Sequence, residues 1–484
     1  MWIGRTRRLI TTALPLGVLL LLTLHAVVAP IVSYDSWWYH LPFASCLWNI
    51  GGGCAAFHMD ARSLDRFQGF PKIWELAQGG IWALTGALWT IVLPQLVLAG
   101  AYGWTCWRGL RIPPLTLVMG VFASPMLVLH FMGTNNDLPG ALAIAIGFFL
   151  LADLAAGTAG AAAWPRIAAV LAAFAIAGNI KYQALLGCVA VAAAIGVTCL
   201  VVRGIVPRRR LGILLVLAVA TILASAWAIA NVVRFGNPVY PIDVAVAGRH
   251  VFPGPEDLST DPATPTYLLY GSRQVTLPEP VNFVLSITEF DWTMRGVAPW
   301  YSLGSEAGEQ PRRGGPARTG GWGAVFVLGN LCLLLYQLLR PARTPDHRQR
   351  VMVGAAVLLC VATALLPRAH ELRYWLYLPL VIVPINLRFL LHVDPQRRVV
   401  PLLLAAILLL GLSLTVLSPK SRILELGTLS QSAMRAQVPV EVRSALTASG
   451  VYCDAEDDGL FRWSAAVTGL PGVLSRNPAD CPAR

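Results

Sequence analysis

Five polar residues stand at the ends of apolar runs, and their types define a chemistry. Asp35 and His40 lie in Ser33-Tyr34-Asp35-Ser36-Trp37-Trp38-Tyr39-His40-Leu41-Pro42, and Asp137 lies in Gly133-Thr134-Asn135-Asn136-Asp137-Leu138-Pro139. Lys181 follows Gly178-Asn179-Ile180 and precedes Tyr182, and Arg373 sits between Glu371-Leu372 and Tyr374. A carboxylate in such a place can take the proton of a hydroxyl. A compact ammonium and a planar guanidinium fork both suit phosphate oxygens. Together they fit the displacement of phosphate from the anomeric carbon of a sugar carried on a polyprenyl lipid. One base is enough, because phosphate leaves without the second carboxylic acid that glycoside hydrolysis needs.

Each residue also has a plainer reading. Trp37, Trp38 and Tyr39 fit an interfacial aromatic belt, which accounts for neither Asp35 nor His40. Asp137 with Pro139 two residues later suits the first turn of a helix. Lys181 can snorkel from a helix end, although lysine is scarce here: Lys72, Lys181 and Lys420 are the only three among 37 basic residues. Pro71-Lys72-Ile73-Trp74-Glu75-Leu76 reads equally as an amphipathic helix lying on a bilayer. Gly236-Asn237-Pro238-Val239-Tyr240-Pro241 reads as a rigid turn.

The elements that must position these groups follow from composition. Of 484 residues, 56% are hydrophobic and 13% charged, and the mean hydropathy is +0.62. An ordinary soluble domain is excluded. Apolar stretches of spanning length begin near Leu9, Gly80, Pro114, Leu138, Ile167, Gln183, Leu211, Gly323, Val351, Tyr374 and Val399, so the expected fold is an all-α polytopic membrane protein of about eleven transmembrane helices. The net charge of +12 resides mainly in short loops: Arg108 to Arg111, Arg166, Arg203 to Arg210, Arg340 to Arg350 and Arg388 to Arg398. With these loops and the N-terminus in the cytoplasm, the positive-inside rule holds. The basic balance is then membrane orientation, and no nucleic-acid partner is implied. The C-terminus falls in the periplasm.

The long segments lie on the other side: a first loop at 33–78, a large loop at 234–321 and an appendage at 418–484, following a membrane domain at 1–417. Asp35, Asp137, Lys181 and Arg373 all face that side. The first apolar run is longer than a signal-peptide core, which favours an uncleaved helix. Cys106, Cys188, Cys199, Cys332 and Cys360 fall in or beside apolar runs as small hydrophobes. Cys46 with Cys54, and Cys453 with Cys481, are either disulfides or free thiols. The stretch from Gly304 to Gly321 reads as mobile, and Glu441 to Leu446 and Asp457 to Ala466 as short helices.

Asp35 with Tyr39-His40-Leu41-Pro42, Pro71 to Leu76, Asn136-Asp137, Lys181-Tyr182, Gly236 to Pro241 and Arg373-Tyr374 recur in an order that resembles the GT-C superfamily. These are polyprenyl-phosphate-dependent membrane glycosyltransferases, among them the protein O-mannosyltransferases and the aminoarabinose transferases of lipid A. The resemblance implies a bacterial inner-membrane enzyme transferring a sugar, with inversion, to a lipid, glycan or protein acceptor on the periplasmic face. It makes Asp35 the general base and Asp137 a second acidic site residue. It gives donor phosphate to Lys181, Arg373, Lys72 and His40, and substrate contacts to Tyr39, Asn136, Tyr182 and Tyr374. The chain departs from the protein mannosyltransferases in having one acid, not an Asp-Glu pair, among the first-loop aromatics. No firm metal site is implied, and a divalent cation as cofactor is left open. Two other classes compete: a transporter or flippase of lipid-linked saccharide, which predicts polar residues deep within helices, and an assembly subunit, in which Asp35 is dispensable.

Overall fold

The computed structural model describes residues 16–28, 35–157, 163–202, 205–246, 249–257, 278–288, 322, 326–339, 346–369 and 371–393, with short pieces at 440, 444, 450–453 and 473–475. The protein is mostly helical. Its centre is a helix at Asp137–Ala156, buried along nearly its whole length. Between Asp137 and Asp153 this helix is apolar on every face, as suits an element surrounded by others. Around it pack helices at Leu93–Leu110, Ala163–Gly178, Tyr182–Val201, Pro207–Ala224, His347–Ala364 and Tyr377–Arg388.

Among the described residues, Asp137–Ala156 and Tyr182–Val201 are long and apolar enough to cross a membrane. Two bent pairs would raise the number to four: Pro114–Val121 with Met126–Met132, at 108°, and Pro207–Ala224 with Ala226–Phe235, at 50°. Shorter apolar helices stand at Leu16–Val28, Ala163–Gly178, Gly329–Leu339 and Tyr377–His392. By this measure the structure yields two to four spans against the eleven expected from hydropathy. Breaks account for part of the difference. A helix at Ile73–Thr85 is stopped by Gly86 at φ 68°, so the apolar run expected from Gly80 is divided, and its second helix begins at Leu93 with Pro94 in its first turn. The run expected to start at Pro114 is broken at Phe122 to Ser124 ahead of Pro125. The span expected near Val399 lies outside the described residues.

The first loop carries helices as well, and the helices of eight residues or more are numbered together in chain order. The helix at Leu16–Val28 is α1; α2 is Leu41–Trp48, α3 is Ala61–Gly69 and α4 is Ile73–Thr85. The Cys46–Cys54 disulfide is formed, with Cα atoms 4.6 Å apart. It clips the turn that follows α2. The Cys453–Cys481 pairing, the stretch 304–321 and, apart from Ser444, the helices expected in the tail lie outside the described residues.

Two small sheets are built from segments between and after the helices. In one, β1 (Phe57–His58) pairs in parallel with β6 (Val473–Ser475), which pairs in parallel with β5 (Val451–Cys453). The tail is thus joined to the first loop by main-chain hydrogen bonds. The other sheet is built from the large loop, with β2 (Ile242–Val246) between β3 (Arg249–Phe252) and β4 (Glu256–Asp257). It is tied to α3 by Arg66, whose Nε and Nη2 donate to Glu256 at 2.5 and 2.7 Å.

Candidate active site

Asp35 stands at the N-terminus of a wide helical turn, Ser36–His40, where a short polar side chain ordinarily caps the backbone. It makes no cap hydrogen bond, so its carboxylate is available to face elsewhere. Arg373 meets it: Nη1 lies 3.5 Å from Asp35 Oδ2, each side chain 22% exposed. Arg373 belongs to a tight turn at Leu372–Trp375. Its Nη2 donates to Tyr374 Oη at 3.0 Å and lies 3.6 Å from Glu371 Oε2.

The second carboxylate is held differently. Asp137 opens α8 (Asp137–Ala156), where a negative charge is favoured by the helix dipole. Lys181 immediately precedes α10 (Tyr182–Val201), an end where a cation is disfavoured and needs an offset. Asp137 supplies one: Lys181 Nζ donates to its Oδ1 at 2.7 Å, with the carboxylate 1% and the lysine 14% exposed. The Tyr374 ring supplies another, 4.6 Å from Nζ. The Arg373 guanidinium lies 4.8 Å from the same ring. One aromatic therefore touches both cations, and through them the two carboxylates are neighbours.

Small hydrogen bonds fix this register. Ser36 Oγ lies 2.6 Å from Thr134 Oγ1 and donates to Asn135 Oδ1 at 2.9 Å. Asn136 Nδ2 donates to Ile180 O at 3.3 Å. The segments bearing Asp35, Asp137 and Lys181 are thereby joined directly. Tyr39 lies within the field of Asp35, Asp137, Tyr374 and Arg373. Burial pushes its phenol well above the ordinary tyrosine range, the two carboxylates push the same way and Arg373 opposes them. Tyr374 is raised as well, chiefly by burial. Both phenols therefore keep their protons and remain hydrogen-bond donors.

Three expected residues are turned to other partners. His40 is buried with its Nδ1 against Glu75 Oε1. Lys72 is buried too, donating to Phe70 O at 3.1 Å, with the rings of Trp227 and Phe67 at 4.4 and 5.1 Å. Loss of water lowers its ammonium to about 8, helped by Arg234 and resisted by Glu75. Tyr182 is part of a tether. Its Oη lies 2.6 Å from Gly69 O and 2.8 Å from Tyr240 O, and accepts from Asn231 Nδ2 at 2.7 Å.

Gly69 O is the knot of that tether, receiving also Trp227 Nε1 at 2.7 Å and Asn231 Nδ2 at 2.8 Å. The first loop is fixed through it to α10, to α12 (Ala226–Phe235) and to the Gly236–Pro241 turn. Sequence reasoning did not single out Gly69, Asn231 or Trp227, because a carbonyl acceptor leaves no mark in residue type. Among the described residues, no three His, Cys, Asp or Glu side chains converge as metal ligands would. No protein-family model, curated protein or solved structure matches this chain.

Proposed function

We propose that the protein transfers a sugar, with inversion, from a polyprenyl-phosphate donor to an acceptor hydroxyl at the outer face of a bacterial inner membrane. The observation that carries this reading is the meeting of two cation–carboxylate pairs, Arg373 with the partly exposed Asp35 and Lys181 with Asp137, at the Tyr374 ring. In the reaction the acceptor O–H gives its proton to Asp35 as its oxygen attacks the anomeric carbon. The bond from that carbon to the phosphate oxygen breaks, and the electron pair leaves with the lipid phosphate. Arg373 and Lys181 receive the charge that develops there, where preorganised cations contribute most.

The two carboxylates divide the work. Asp137 is almost fully buried and engaged by Lys181, which suits it to hold the ammonium in place. Asp35 is the more open and more loosely paired, which suits proton transfer. The orientation rests on charge: Arg108, Arg111, Arg166, Arg348 and Arg388 collect at the helix ends away from Asp35, the side that faces the cytoplasm under the positive-inside rule.

The test is Asp35→Asn in membranes supplied with a radiolabelled polyprenyl-phosphate sugar. Transfer falls by roughly 10²- to 10⁴-fold at unchanged protein level. Undiminished transfer would remove Asp35 as the base. Absence of any transfer by the unaltered protein, with several sugars tried, would favour the flippase or assembly readings.

A further inference from the structure

Two of the helices that begin at the Asp35 cluster, Asp137–Ala156 and Tyr377–Arg388, reach a second polar site at their other ends. At 1.5 Å per residue, α8 carries Asp153 roughly 24 Å from Asp137, most of a bilayer's apolar thickness. There a cavity of about 490 Å³ is lined by five arginines and two aspartates, with His392 beside them. Its volume is that of a small-molecule site, ~300–1,000 Å³.

The two aspartates are already engaged. Arg348 contacts Asp153 and donates from Nη1 to Gly109 O at 2.6 Å. Arg388 Nη2 donates to Asp346 Oδ2 at 2.5 Å. Each of these guanidiniums nevertheless keeps a buried Nε with no hydrogen-bond partner. Burying a donor in that state is costly unless something accepts from it. Arg108 leans on the rings of Trp104 and Trp107, at 5.3 and 5.8 Å. Arg111 and Arg166 add two more positive charges to the same walls.

A cytoplasmic arginine cluster is ordinarily a matter of orientation, with the side chains scattered over loops and meeting the lipid surface singly. Here four helices bring the five arginines around one half-open volume, where they outnumber the two aspartates and repel unless a further anion lies between them. Guanidinium forks are matched to tetrahedral oxyanions, which accept several N–H bonds at once.

We propose that this cavity binds a phosphate-bearing group, either the headgroup of an anionic phospholipid of the adjoining leaflet or a free phosphate compound. The proposal rests on the membrane orientation given above but not on glycosyl transfer, so Asp35→Asn leaves binding here unchanged.

Two probes separate the sources. Protein in neutral detergent is melted with and without inorganic phosphate, and protein in nanodiscs of phosphatidylcholine with phosphatidylglycerol is examined by native mass spectrometry for the lipid it retains. The variant Arg108→Gln/Arg111→Gln spares the Arg348–Asp153 and Arg388–Asp346 pairs, and Arg108→Lys/Arg111→Lys keeps the charge; melting without phosphate establishes that each is folded. The unaltered protein either retains phosphatidylglycerol preferentially or melts higher in phosphate. The glutamine variant weakens that response about fivefold for each arginine removed, and the lysine variant retains most of it. Lipid preference without phosphate protection identifies a headgroup, and the reverse identifies a free phosphate compound. Neither response in the unaltered protein, or the same response in the folded glutamine variant, overturns the proposal.

Discussion

Lys181 donates to Asp137 across 2.7 Å, and this pairing assigns the two carboxylates of the site unequal tasks. Breaking a buried pair from one side leaves the other charge uncompensated, at a cost of about 3–5 kcal/mol. Asp137→Asn therefore lowers the melting temperature in detergent, whereas Asp35→Asn changes it little. The double variant Asp137→Asn/Lys181→Met recovers part of the loss, a coupling of roughly 1–3 kcal/mol in a double-mutant cycle. Equal melting of the two asparagine single variants would refute this division of labour.

A methyl group at Gly69 has no room. Its Cβ would fall 2.2 Å from Tyr240 O, and relieving that contact pulls the first loop from the carbonyl shared by Tyr182, Trp227 and Asn231. Gly69→Ala is expected to destabilise by about 1–3 kcal/mol, seen as a lower melting temperature. Sugar transfer also falls, because Asp35 sits on the loop so tethered. Gly86→Ala, with nothing within 4 Å of its Cβ but φ at 68°, separates backbone strain from the steric effect.

Lys72 gives a pH signature. Its folded value of about 8 lies below its ordinary 10.5, so between these values the unfolded chain binds more protons and stability rises with pH. The cost of burying the charge, on the order of 3 kcal/mol, is full below about pH 8 and disappears as the pH approaches 10.5. Lys72→Met is expected to melt higher at pH 7, and its advantage shrinks as the pH is raised to 10. Transfer by this variant is retained, since the ammonium is caged by Phe67 and Trp227. Abolished transfer in a stably folded Lys72→Met would restore Lys72 as a phosphate ligand.

The bidentate bond from Arg66 to Glu256 is the tie between the first loop and the small sheet of the large loop. Lysine cannot reproduce two parallel donors. Arg66→Lys is expected to cost about 1–3 kcal/mol. Limited proteolysis then cuts faster around β3 and β4, while cleavage elsewhere is unchanged.

Residue type and order made part of this site legible. Asp35, Asp137, Lys181 and Arg373 carry charge at the ends of apolar runs, where charge is expensive without a task, and sidedness alone brought them to one face. Their pairing was not legible: nothing in the chain says that Lys181 meets Asp137 and Arg373 lies by Asp35, since those contacts join segments far apart in sequence. His40, Lys72 and Tyr182 read as ligands because polar groups near a site resemble one another in sequence. Their partners, Glu75, the Phe67 and Trp227 rings and Gly69 O, are distant or belong to the backbone. Hydropathy likewise located apolar stretches but not their interruptions. Gly86 and Pro125 fall inside continuous apolar runs, where a single residue that ends a helix is hidden by the hydropathy of its neighbours.

The pairing of β1 with β6 bears on biogenesis. One edge of this sheet comes from the first loop, and its middle strand comes from residues 473–475. Synthesis proceeds from the N-terminal end, so β1 is made long before its neighbour. During that interval its edge is unpaired and open to other strands. The sheet closes only after translation has passed Ser475, which makes the joining of these two distant segments a late docking event.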